Sequence, residues 1–218
     1  MSPQTESPDG SSSPGCRGPA VVYFAKAPLP GQVKTRLCPP LTTDEAAALY
    51  GAFLRRVVRP VPGVRTLVYG WPGEQRAALE AALPAGWQDA GVELRDQCGA
   101  DLWERMQNCF AELFAEGHAP VLIRNTDSPD LDQDLVTSAL DQCGAGRVVL
   151  GPDGGGGYYL IGLDQARPEL LGAAPEGADT VFAQTAVRVR EAGLELVELS
   201  IQRDVDTFED LLAMWRAR

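Results

Sequence analysis

Three cations, Lys26, Lys34 and Arg36, share the short stretch FAKAPLPGQVKTRL, residues 24–37, which follows the apolar run AVVY. Such a cluster in a Pro/Gly-rich segment suits the holding of a polyphosphate. Arg can grip phosphate oxygens two at a time, whereas Lys acts as a mobile point charge. Pro28, Pro30 and Gly31 prevent an early helix and hold the chain in a turn that keeps backbone N–H groups available. The stretch matches neither G-x-x-x-x-G-K-[ST] nor G-x-G-x-x-G, and a merely solvated basic loop is the competing reading.

Carboxylates of complementary character stand later in the chain. Asp127, in RNTDSPDL (residues 124–131), follows the apolar stretch APVLIRN, and Pro129 keeps the chain from running straight into a helix. Magnesium is usually held by one or two carboxylates together with substrate phosphates and water. Asp127 thus offers a metal ligand opposite the basic stretch; its alternative is to organise a turn or cap the helix at Asp132. Asp206, in RDVDTFEDL (residues 203–211), precedes a helix start that Thr207, Glu209 and Asp210 already explain. It is available as a second ligand for the same cation.

The stretch GPDGGGGYYLIGL, residues 151–163, has four consecutive glycines. They allow a backbone to approach a ligand closely, or simply a flexible hairpin. Of Tyr158 and Tyr159, one ring is expected in the core and the other in the ligand crevice.

Alternating strand-like and helix-like stretches must position these groups. AVVYFA (20–25), VRTLVYG (64–70), APVLIRN (119–125), RVVLG (147–151), YYLIGL (158–163) and LELVELS (194–200) read as strands, with VELRDQ as a short extended piece. Helices are expected over 42–58, 73–83, 100–116, 132–143, roughly 179–192, and from Thr207. The alternation predicts an α/β protein, a mostly parallel sheet covered by helices on both faces. Ligands in such sheets bind beyond the carboxyl ends of the strands, where the unusual loops fall.

With 30 acidic and 19 basic residues among 218, the chain carries a net charge of −11. This argues against a nucleic-acid or anionic-membrane partner, both of which need a dominant positive field. No apolar run is long enough to span a bilayer. Residues 1–18 have neither the basic start nor the apolar centre of a secretory signal and read as a disordered polar leader, leaving 19–218 as one domain. Five cysteines without a C-x-x-C suggest reduced thiols and a cytoplasmic protein. The lone histidine, His118, reads as structural.

Taken in order, FAKAPLPGQVKTRL, QCGADLWERM (97–106), NTDSPDL, GPDGGGGYYLIGL and DVDTFEDL resemble the uncharacterised transferases grouped as DUF2064, also described as radical-SAM/selenodomain-associated transferase 1. These belong to the nucleotide-diphospho-sugar transferase superfamily. The resemblance implies a three-layer, Rossmann-like GT-A fold with a mostly parallel mixed sheet, which binds a nucleotide and Mg²⁺ (or Mn²⁺). It implies nucleotide contacts from Lys26, Pro30, Gly31, Lys34, Thr35, Arg36, Gly156 and Gly157, catalytic roles for Lys34, Arg36 and Asp127, and a metal site at Asp127 and Asp206. The donor would be a nucleoside triphosphate or a nucleotide sugar, and the acceptor a small molecule.

Two departures stand out. Gly155 occupies a position where the family has an aspartate, with Asp153 two residues before it, and GADTVFAQT replaces a common Trp-Ser-Thr. Three readings therefore stay open: nucleotidyl transfer to a small phosphorylated or phosphonate acceptor, slightly preferred for the density of the basic loop; glycosyl transfer; and a nucleotide-binding module without turnover, which Gly155 favours.

Overall fold

The computed structural model describes residues 17–174 and 180–216. Most of the expected leader, and Cys16 with it, lies outside the described residues, as do residues 177–179 of GADTVFAQT. The first strand starts two residues sooner than expected. Arg17 N donates to Gly117 O at 2.8 Å and Gly18 pairs with His118, so Gly18 already belongs to the sheet and Arg17 is tied to the residue before its partner.

Thirteen main elements follow in order: β1 (Gly18–Lys26), α1 (Thr43–Val57), β2 (Arg65–Trp71), α2 (Arg76–Ala82), β3 (Val92–Asp96), α3 (Leu102–Ala115), β4 (His118–Arg124), α4 (Gln133–Gln142), β5 (Arg147–Pro152), β6 (Tyr158–Leu163), α5 (Val181–Glu191), β7 (Glu195–Glu198) and α6 (Phe208–Arg216). The strands form one seven-stranded sheet in the order β3-β2-β1-β4-β6-β5-β7. β6 pairs antiparallel with both β4 and β5, while the other pairings are parallel. VELRDQ, read only as an extended piece, supplies β3 at the sheet edge.

The period-two alternation of each strand divides the core between two faces. Val21, Tyr23 and Ala25 of β1 join Tyr50, Phe53 and Leu54 of α1, Leu79 of α2 and Val136 of α4 on one side. Ala20 and Val22 join Phe110 and Leu113 of α3 and Val189 of α5 on the other. Helices therefore cover both faces, giving three layers. The whole run Ala20–Tyr23 is buried, and each of its valines contributes roughly 1.5–3 kcal/mol through burial.

α1 begins with a capping box. Thr42 Oγ1 accepts from Glu45 N at 3.2 Å, and the Glu45 carboxylate accepts from Thr42 N at 2.8 Å. This orients Tyr50, two turns further on, towards the carboxyl ends of β1 and β4. There its hydroxyl accepts from Lys26 N at 3.1 Å and lies 2.7 Å from Thr126 Oγ1. One helix side chain thus ties together the two strand ends from which the unusual loops depart.

Candidate active site

The chain leaves β1 at Lys26 and reverses through a turn at Leu29–Gln32, closed by Gln32 N donating to Leu29 O at 3.0 Å. Pro30 and Gly31 fill its two central positions, and Gly31 has a φ of +75°. That is the residue pattern of a type II turn, which needs positive φ at its third position. Buried Val33 and Leu37 then anchor the segment on either side of Lys34. Lys34 itself is left-handed, with φ 49° and ψ 35°, and it is the one non-glycine residue with positive φ among the described residues.

This backbone places the Lys34 ammonium between the two predicted metal ligands. Nζ lies 2.5 Å from Asp127 Oδ1 and 3.0 Å from Asp206 Oδ1. The Lys34 side chain is 4% exposed, whereas those of Asp127 and Asp206 are 36% and 46% exposed. Arg36 Nη1 approaches Asp206 Oδ2 at 3.8 Å, but with 77% of its side chain exposed it remains accessible from solvent.

Asp127 and Asp206 are distant in sequence, and backbone and side-chain bonds join their loops. Val205 N donates to Asp127 O at 2.9 Å. Asp204 accepts from Asn125 Nδ2 at 2.8 Å and from Ser128 Oγ at 2.5 Å, while Asp127 N donates to Asn125 Oδ1 at 3.3 Å. Burial pushes the Asp204 carboxyl up to about 6; its two donors oppose that shift, and the nearby Asp127 and Asp153 charges reinforce it. Asp204 therefore fastens the loop after β4 to the segment before α6. Asp127 does not cap α4, since Asp132 accepts from Asp134 N in that role. Thr207 and Asp210 form the reciprocal cap expected at the start of α6.

These groups open onto a crevice of about 420 Å³ beyond the carboxyl ends of β1 to β4. Of the residues assigned a role from the sequence, Lys26, Lys34, Thr35, Arg36, Asp127 and Asp206 line it. Pro30 and Gly31 do not line it: they shape the turn that delivers Lys34. Tyr50, Thr126, Trp71, Gln97 and Arg105 also line the crevice, although none of them was assigned there from sequence. Gln97 and Arg105 lie in QCGADLWERM and could have been found from it. Tyr50 and Thr126 have the spacing of ordinary packing residues and give no such signal. Burial raises the Tyr50 hydroxyl pKa, with the Asp127 charge adding to the effect, so it remains protonated at neutral pH.

The glycine loop joins β5 to β6 at the same sheet edge but does not line this crevice. Asp153 Oδ1 accepts from Gly155 N at 2.7 Å and from Gly157 N at 2.9 Å, so its carboxylate is committed to its own loop. A Cβ on Gly157 would lie 2.5 Å from Asp153 Oδ2, and one on Gly156 would lie 2.8 Å from Thr180 Cγ2. Local packing therefore explains Gly156 and Gly157 at the positions assigned to nucleotide binding. Gly154 and Gly156 have positive φ, but Gly155 does not, and a Cβ there meets nothing closer than 3.5 Å.

Neither tyrosine after the glycines lines the crevice. Tyr159 is buried and donates to Ser200 O at 3.0 Å, while Tyr158 packs against the opposite core. Both rings face core layers because the strand alternates between the two helix-covered faces.

A family profile described as an uncharacterised protein conserved in bacteria, DUF2064, matches residues 54–177. The chain belongs to the DUF2064 family. The match includes Asp127 and the glycine loop, while the basic loop and Asp206 lie outside it. A solved structure assigned to the nucleotide-diphospho-sugar transferases, from Desulfovibrio desulfuricans G20, is 30% identical; the alignment covers 93% of this chain and 88% of that one, with a TM-score of 0.80.

Two more distant structures share the fold of this DUF2064 protein. A cytidylyltransferase from Leptospira borgpetersenii serovar Hardjo-bovis is 13% identical, over 92% of this chain and 85% of that one, with a TM-score of 0.54. A 4-diphosphocytidyl-2C-methyl-D-erythritol synthase from Anaerococcus prevotii is 10% identical, over 92% and 97%, with a TM-score of 0.56. No curated protein matches. The architecture is the three-layer, nucleotide-sugar-transferase-like fold predicted from the motifs.

Proposed function

We propose that this DUF2064 protein is a divalent-cation-dependent transferase that uses a nucleotide donor, and that it transfers a nucleotidyl group from a nucleoside triphosphate to a small phosphorylated or phosphonate acceptor. The observation that carries this reading is the Lys34 ammonium held against Asp127 and Asp206 in a crevice that Lys26 and Arg36 also line. Phosphate-binding cations and metal-binding carboxylates stand within one side chain's reach of each other. The relationship to a protein assigned to the nucleotide-diphospho-sugar transferases supports a nucleotide donor.

The donor set fits a hard divalent cation. Two partly exposed carboxylates offer oxygen ligands, and among the described residues no group of three His, Cys, Asp or Glu side chains stands ready to hold an ion by itself. That suits Mg²⁺ or Mn²⁺ shared between Asp127, Asp206 and the substrate phosphates. When bound, the cation would supply charge neutralisation at the phosphates. Lys34 shares its charge between the carboxylates and the incoming phosphate, and Arg36 reaches from the exposed rim to a phosphate oxygen. An acceptor oxygen then attacks the α-phosphorus; the new O–P bond forms as the bond to the bridging oxygen breaks, and pyrophosphate leaves. Positioning and electrostatic stabilisation carry the catalysis.

Glycosyl transfer has one observation in its favour, the assignment of the 30% identical relative. The products separate the two. Nucleoside triphosphates, with Mg²⁺ and a panel of phosphorylated and phosphonate acceptors, should yield pyrophosphate. Release of nucleoside diphosphate from nucleotide sugars, with no pyrophosphate from any triphosphate, would overturn nucleotidyl transfer; tight nucleotide binding without either product would leave a binding module. The cysteine usage supports a cytoplasmic setting, and no helix among the described residues is long and apolar enough to cross a membrane.

A further inference from the structure

The stretch QCGADLWERM has no part in the chemistry at Lys34, yet it builds the opposite wall of the same crevice. Its backbone is held from several sides. Gln97 N donates to Gly70 O at 2.9 Å, and Gln97 Nε2 donates to Tyr69 O at 2.8 Å and Ala25 O at 3.3 Å. Asn108 Nδ2 donates to Cys98 O at 2.8 Å, Asp101 caps α3 by accepting from Glu104 N at 2.9 Å, and Glu104 accepts from Ala100 N at 2.8 Å. Gly99, with φ +144°, lies so near the first turn of α3 that a Cβ would come within 2.7 Å of Arg105 N. The polar side chains of this loop are spent on scaffold. Arg105 is the exception.

The Arg105 guanidinium lies over the Trp71 ring at 4.2 Å from its centroid, and its Nε is buried with no hydrogen-bond partner. It makes no ion pair among the described residues, although the chain carries 30 carboxylate side chains. Buried donors are rarely left without a partner. An indole face attracts a guanidinium without neutralising it, so the donor edge keeps its charge. Lys26 pairs in register with Trp71 and lines the same crevice, with no ion pair of its own among the described residues. Two cations without acidic partners among the described residues thus flank Trp71, in the same crevice as the Lys34 cluster.

We propose that Trp71, Arg105 and Lys26 form a second anion subsite that receives an oxyanion of the acceptor, a phosphate, phosphonate or carboxylate. The inference rests on the crevice being the nucleotide site and extends it to the second substrate. A nucleobase is the competing occupant, but one face of the indole is already covered by the guanidinium and the Phe24 ring stacks on Tyr69, with centroids 6.0 Å apart. The lobe presents charge in preference to an open aromatic platform. A planar, bidentate donor such as Arg suits an oxyanion.

The test measures binding of methylphosphonate by ³¹P NMR and of acetate by calorimetry, to the protein alone and to the protein saturated with a nucleoside triphosphate and Mg²⁺. Parent, Arg105→Met and Arg36→Ala are compared. The expected result is that one of the two anions binds the parent, that Arg105→Met weakens it about tenfold or more, and that, with the nucleotide phosphates already seated, Arg36→Ala leaves it within about twofold. Nucleotide affinity should hold within about twofold in Arg105→Met. Which anion binds names the acceptor group. Loss of nucleotide affinity in Arg105→Met with anion binding unchanged would assign Arg105 to the nucleotide and overturn the subsite, as would failure of both anions to bind the folded parent. If no nucleotide binds the parent, the donor reading fails alone, because the nucleotide-free titrations still decide the subsite. Circular dichroism confirms that each variant is folded.

Discussion

Lys34 concentrates the chemistry of the site in one residue. Its left-handed backbone costs of order 1–3 kcal/mol for a non-glycine residue, and its ammonium is held by two carboxylates. The ammonium proposed to bind phosphate therefore also occupies the ligands proposed for the cation. Replacing it by Lys34→Gln keeps a side chain of similar length and deletes the charge. We expect nucleotide affinity to fall about tenfold or more, in line with loss of a charge-assisted contact. In the nucleotide-free protein, Mn²⁺ should bind more tightly than in the parent, because Asp127 and Asp206 lose the cation between them. Electron paramagnetic resonance of free Mn²⁺ reads the second effect. Weaker Mn²⁺ binding in the variant would mean that Lys34 organises the carboxylates and does not compete for them.

At the scale of elements, the site depends on how strands hand over to loops. Gly151 near the end of β5 faces Tyr159 of β6 so closely that a Cβ would lie 2.3 Å from Tyr159 Cζ. The Tyr159 hydroxyl in turn donates to Ser200 O, at the start of the segment that carries Asp204 and Asp206. Gly151→Ala should therefore do two things. The crowded ring must move, lowering stability by about 1–3 kcal/mol as in other overpacked cores, and the late aspartates should shift, weakening nucleotide binding. A denaturant melt and calorimetry give the two numbers. A stability change under about 0.5 kcal/mol would mean that the ring relocates without strain and that β5 and β6 do not hold the late segment in place.

For the whole molecule, a net charge of −11 opposes a polyanionic ligand while the crevice attracts it. The two act over different ranges. At 0.01 M salt the screening length is about 30 Å, so an approaching nucleotide feels the acidic protein; at 0.15 M it is about 8 Å and the local cations dominate. The association rate of a nucleoside triphosphate should therefore rise over that range, while its dissociation rate also rises as direct phosphate contacts weaken. Stopped-flow measurements separate the two. An association rate that falls with salt would show that the crevice already steers the ligand from a distance.

Much of this molecule was legible in its sequence because the signals were local. The buried-strand run AVVYFA, the capping residues Thr42 and Thr207, and the turn-forming Pro30 and Gly31 act within a few residues of themselves, and the structure keeps each of them. Their physics needs no distant partner. The charge types at Lys34, Asp127 and Asp206 likewise point to a common task, because the loops that follow parallel strands gather at one sheet edge. What the tertiary structure decided was contact. Only packing could show that Lys34 lies between the two aspartates, that Asp153 closes its own glycine loop, and that Tyr158 and Tyr159 turn to core layers. The same holds for Arg105, which lies over the indole of Trp71 from another element and has a buried Nε without a partner among the described residues. Pairings of this kind are set by strand order and by which face each side chain meets, and no property of the single residues encodes them.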